Sequence, residues 1–173
     1  LRENFKTYCG QILLPLFGMA LLVGVLCGLI LGLYDWVAGL GTTYALKLYN
    51  YCHQHMHYYP IPFFSVIALG LINGALIYKF QEIRGSEIPY IEAVSLGKIE
   101  VTWYSSLPIM FLASLISLST GLSLGREGPS VYMGGCIGYA ISQIIPFAEV
   151  HKCLLVAAGA STGAAIAFHA PVA

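Results

Sequence analysis

Gly125-Arg126-Glu127-Gly128-Pro129 places two charged side chains between two long apolar stretches. Residues 101–125 form 25 positions without Asp or Lys, Glu or Arg, and residues 128–148 form another 21. A helix needs about 20 apolar residues to cross about 30 Å of hydrocarbon. Ionisable groups held between two such stretches are costly in a bilayer, so they face a cavity, pair, or line an ion path. Proline suits the first turn of a helix, where its missing N–H leaves no bond unmade. Gly125 and Gly128 allow backbone conformations closed to other residues. A helix is therefore expected to begin near Pro129, inside the membrane-embedded region, with unpaired amides and the positive end of its dipole turned to a cavity. Such a terminus binds anions, and broken helices aimed at a midplane site are how many transporters hold them. A glutamate at this point competes with an anion when ionised and vacates the site when protonated. The alternative is an Arg126–Glu127 surface pair on a short loop, worth little energetically.

Composition agrees with a membrane setting. Of 173 residues 58% are hydrophobic and 9% charged, against about 25% charged in a soluble domain. The formal net charge is zero, which speaks against a nucleic-acid partner, and no basic patch for a lipid surface stands out. The five cysteines include no Cys-x-x-Cys, and Cys27 and Cys136 fall in apolar runs as small buried hydrophobes. Residues 12–34 are too long for the core of a signal peptide and lack a small-residue cleavage site.

The expected fold is an all-α membrane protein, a polytopic bundle of tilted and broken helices in one membrane domain. Residues 7–34 form a first span and 58–78 a second, with Tyr58, Tyr59 and Tyr78 as interfacial anchors. A mixed segment, 35–57, lies between them. Three further stretches follow the polar loop 79–98, at 101–125, 128–148 and 153–173. Arg2, Lys6, Lys79, Arg84 and Lys98 outnumber Lys47 across the first two spans, so the N-terminus and the 79–98 loop are expected in the cytoplasm. Glycines four apart recur at Gly24/Gly28/Gly32, Gly70/Gly74, Gly121/Gly125, Gly134/Gly138 and Gly159/Gly163. Each pair offers a flat strip for close helix crossing. The last run, ending Phe168-His169-Ala170-Pro171-Val172-Ala173, has no polar closing segment, and the chain is expected to be part of a larger membrane domain.

Gly85-Ser86-Glu87-Ile88-Pro89 is a second loop of the same kind. Ser86 serves as an N-cap for a helix starting around Ile88–Pro89, or its hydroxyl donates to an anion.

With Ser130-Val131-Tyr132-Met133-Gly134-Gly135 after it, Gly125-Arg126-Glu127-Gly128-Pro129 resembles the signature of the CLC family of voltage-gated chloride channels and chloride/proton antiporters. Gly85-Ser86-Glu87-Ile88-Pro89 resembles that family's Gly-Ser-Gly-Ile-Pro loop, and residues 157–173 resemble the segment that follows. The resemblance implies the first half of an inverted-repeat membrane fold and transport of chloride, with protons in the antiporters. It implies that Ser86 coordinates a central chloride, that Glu127 is the gate, and that the amides around Arg126, Glu127 and Gly128, with Ile88, line the anion path. It further implies a homodimer in the cell membrane, no cofactor, chloride as the bound ion, and no enzymatic step. The family's remaining anion ligands and the inner proton glutamate of its antiporters fall beyond position 173. One departure stands out: Glu87 replaces a glycine of the family loop. Its carboxylate is expected to turn to the cytoplasmic vestibule, away from the anion.

Two weaker signals remain. His53, His55 and His57 alternate, which in an extended strand sets three imidazoles on one face. The segment is expected to be an exposed interhelical loop; a metal-binding membrane protein is the rival function the histidines suggest, although a further ligand and its supporting partners are missing. His169 is expected to be a polar packing residue.

Overall fold

The structure, a computed structural model, describes residues 2–55, 58, 60–80, 83–121, 124–145 and 151–170, with the side chains from Pro15 onward. Its helices are α1 (Arg2–Gln54), α2 (Pro60–Lys79), α3 (Glu87–Ser95), α4 (Trp103–Ser119), α5 (Glu127–Ile144) and α6 (Lys152–Ala167). No strand occurs among the described residues.

The first expectation to change is the end of the first span. Helix α1 is continuous for 53 residues, about 80 Å at 1.5 Å per residue. Its buried stripe steps through Met19, Val23, Cys27, Leu31, Tyr34 and Ala38 at intervals of three and four, then reaches Ala45 and Cys52. That is the helical period, and it does not stop at the mixed segment. Asp35 lies within it and forms an ion pair with Arg126 at the start of α5.

Helix α5 is the centre of the fold, with every residue from Tyr132 to Ser142 buried. Its glycines explain how. A Cβ on Gly134 would run into the Gly159 carbonyl oxygen, one on Gly138 into that of Leu155, and one on Gly163 into that of Ser130. Helices α5 and α6 thus touch backbone to backbone, as expected of these two pairs. The other pairs behave differently. Gly24, Gly28, Gly32, Gly70 and Gly74 have open space where a Cβ would stand, and Gly121 lies in a turn at φ +74°. Cys27 and Cys136 are fully buried, as read.

Helix α3 is short but firmly placed. Ile91 and Val94 are buried, Ile91 fills the space beside Gly135, and the rings of Tyr90 and Tyr132 stand 5.6 Å apart. Position 87 meets 128, 90 meets 132 and 91 meets 135. The order is ascending on both helices, so α3 and α5 run parallel with their N-termini side by side.

At the far end of α1, His53 is in the last helical turn and His55 just beyond it, stacked on Tyr51 with ring centroids 4.8 Å apart. The helix carries His53 in place of the exposed interhelical loop expected there, and His53 and His55 are both exposed; His57 lies outside the described residues. Among the described residues no three His, Cys, Asp or Glu side chains gather as a metal site. His169 also departs from expectation. It is exposed at φ 51°, its N–H donating to Ile166 O and the next N–H, of Ala170, to Ala165 O at 2.9 Å. This pattern closes a helix C-terminus.

Candidate functional site

Both loops fold to one local plan. Ser86 caps α3 and Arg126 caps α5, so Glu87 and Glu127 take the first helical position and each proline the third. Each helix begins two residues or less before the expected start. Proline is tolerated there because first-turn amides have no intrahelical partner. A carboxylate at the first position complements the positive end of the dipole.

The two carboxylates then go different ways. That of Glu127 folds back over Gly125, where it takes the space a side chain at 125 would need. That of Glu87 crosses to the other helix: a Cβ on Gly128 would lie 2.9 Å from its Oε2. The expected turn of Glu87 to a vestibule is therefore corrected. The reason is the parallel packing of α3 on α5, which aims the first residue of α3 at the first turn of α5.

Glu87, Glu127 and Gly128 line one cavity of about 340 Å³, together with Gly125, Pro129 and residues of α2 and α4. Such a volume lies at the small end of ordinary ligand sites. The α2–α4 wall sets Asn73, Ser114 and Ser117 among apolar side chains. Asn73 Nδ2 donates to Ser117 Oγ at 2.5 Å, and Asn73 Oδ1 is buried without a partner among the described residues. Ser114 donates to Met110 O at 2.7 Å. Beside Ser114, the Tyr34 hydroxyl of α1 is buried within electrostatic reach of Glu87, Arg126 and Asp35.

Ser86 stands apart from this cavity. Its exposed side chain makes no capping hydrogen bond. It borders a recess of about 10 Å³ shared with Arg84, Glu87, Tyr90 and Tyr132, room for about one water. Glu87 and Ile83 line both spaces, so they form the partition between Ser86 and Glu127. Ile88 has an outward side chain, 52% exposed, and lines neither space. Arg126 likewise turns its guanidinium to Asp35, with 39% and 26% of the two side chains exposed. Asp35 and Asn73 went unrecognised in the sequence. Each is a lone polar residue in an apolar run, which is the signal that marks them.

An all-helical membrane protein with parallel helix N-termini walling a cavity that holds two carboxylates is the class that this fold and site define. The chain belongs to the voltage gated chloride channel family, whose profile matches residues 69–173. It is similar to the H(+)/Cl(-) exchange transporter ClcA of Vibrio cholerae serotype O1, with 36% identity over 158 residues, covering 90% of this chain and 34% of that protein. The H(+)/Cl(-) exchange transporter ClcA of Yersinia pseudotuberculosis is 35% identical over 162 residues, covering 90% of this chain and 33% of its own length. Among solved structures, that of a slow cyanobacterial Cl-/H+ antiporter matches with a TM-score of 0.77 and 26% identity, covering 89% of this chain and 37% of that one. The chain thus spans about a third of the length of these relatives.

Proposed function

We propose that the protein carries chloride across a membrane in exchange for protons, with Glu127 as the gate. The observation that carries this is the Glu127 carboxylate folded over Gly125 at the N-terminus of α5, inside a cavity. Ionised, it occupies the place a dipole and free amides offer to an anion. Protonated, it leaves that place and takes a proton with it. The amides at Arg126, Glu127, Gly128 and Ile88 and the hydroxyl of Ser86 replace part of the anion's hydration. No covalent chemistry and no cofactor enter this cycle; the bound species are chloride and the proton. The exchangers among the relatives support proton coupling over a simple channel.

The setting follows the same proposal. Helix α2 has no buried residue, and its apolar surface suits lipid or a second subunit of a homodimer. A single multi-pass domain in the cell membrane, with the N-terminus cytoplasmic, agrees with the distribution of Lys and Arg.

The test is Glu127→Gln in the intact protein, reconstituted in liposomes. Chloride flux is expected to persist while proton movement coupled to it disappears. Unchanged proton-coupled flux would sink the gate. A second reading, altered anion selectivity or no conduction, is favoured by one observation, the Glu87 carboxylate at Gly128. Parent protein that passes neither chloride nor protons would support non-conduction.

A further inference from the structure

We propose that Glu87 is a second tethered carboxylate on the anion path, seated against the first turn of α5 between the Ser86 recess and the Glu127 cavity. The proposal rests on the reading of that path as an anion path, and it adds a residue that the family's loop pattern does not contain. Serving the dipole of its own helix does not account for where Glu87 points. Glu127 stays over its own loop, at Gly125. Glu87 instead reaches Gly128, the second position of the neighbouring helix, so two parallel helix N-termini converge on one carboxylate.

Charges nearby leave Glu87 without a fixed counter-ion. Tyr34 of α1 lies within electrostatic reach of Glu87, as it does of Asp35 and Arg126; Glu127 lines the same cavity as Glu87, and Arg84, Tyr90 and Tyr132 the same recess. Helices α2 and α4 contribute Asn73, Ser114 and Ser117, which do not titrate. Arg126 is committed to Asp35, and among the described residues Glu87 has no ion-pair partner. Its carboxylate lies beside the two helix ends, the same feature that attracts a mobile anion. Two carboxylates in one cavity repel each other and an entering anion. An anion therefore enters fully only when both are neutralised or displaced.

Chloride binding to the intact protein, measured by titration calorimetry from acid to alkaline pH, tests this. Glu87→Gln is expected to tighten chloride binding about tenfold at neutral pH, the scale of removing one nearby like charge, and to make its pH dependence shallower. Glu87→Gly, which restores the family's loop residue, should do the same and serves if the glutamine variant fails to fold. Combining either with Glu127→Gln should remove most remaining pH dependence. Tighter binding in Glu127→Gln, with parental affinity and pH slope in both Glu87 variants, would overturn the role of Glu87 and leave the gate standing. Tighter binding in the Glu87 variants alone would do the reverse.

Discussion

Gly85 is held at φ +124°, a backbone angle closed to residues with a Cβ, and has open space around it. Gly125, forty positions on in the matching loop, needs no such angle; it is small because the Glu127 carboxylate lies over it. The capping residues differ in the same way. Ser86 makes no cap bond and faces outward, whereas Arg126 reaches across to Asp35 on α1. Behind the loops, α5 is locked to α6 by backbone contact, while nine-residue α3 leans on α5 through Ile91 and Tyr90. One local pattern is thus fixed by tertiary contacts in the second loop and by its own backbone in the first. Local pattern alone does not say which.

Breaking the tertiary tie should have the largest effect. Arg126→Leu leaves the Asp35 carboxylate partly buried without a partner, expected to cost about 2 kcal/mol. The measurement is the melting temperature in detergent. Adding Asp35→Asn should recover most of the loss, because the unpaired charge is then gone. If the double variant is no more stable than Arg126→Leu, the ion pair does not anchor the second loop. A smaller effect is expected from Gly85→Ala, which forces a Cβ into φ +124° at about 1 kcal/mol. Parental stability in that variant would mean that the first loop relaxes freely, and the contrast between the two glycines would disappear.

Much of the architecture was legible because it is written in local terms. Charge-free stretches bracketed α2, α4, α5 and α6, and the glycine–glutamate–proline pattern marked where α3 and α5 begin. What stayed hidden depends on residues far apart in the chain. Asp35 looked like the end of a span because its neutralising partner, Arg126, lies 91 positions away. Glycine pairs of identical spacing met different fates, since only Gly134/Gly138 and Gly159/Gly163 face each other. The direction of Glu87 is likewise set by which helix α3 packs on. At the candidate site, helix ends and the Glu127 position were readable, but the partition by Glu87 and the place of Asn73 and Ser117 in the wall were not.

The smallest change in stability, and the sharpest separation of the two loops, is expected from Ser86→Ala. Replacing a serine N-cap normally removes about 1 kcal/mol, because its side chain holds a first-turn amide. Ser86 makes no such bond, so the variant should lose less than about 0.5 kcal/mol, as an ordinary surface change does. Its hydroxyl is then free for a ligand, in a recess with room for about one water and a border on Glu87. Exchange of chloride against nitrate through liposomes should accordingly shift in preference while the melting temperature holds. An unchanged preference removes Ser86 from the anion path. A loss near 1 kcal/mol would show that its hydroxyl works as a cap in solution, and that the two loops are fixed more alike than their geometry indicates.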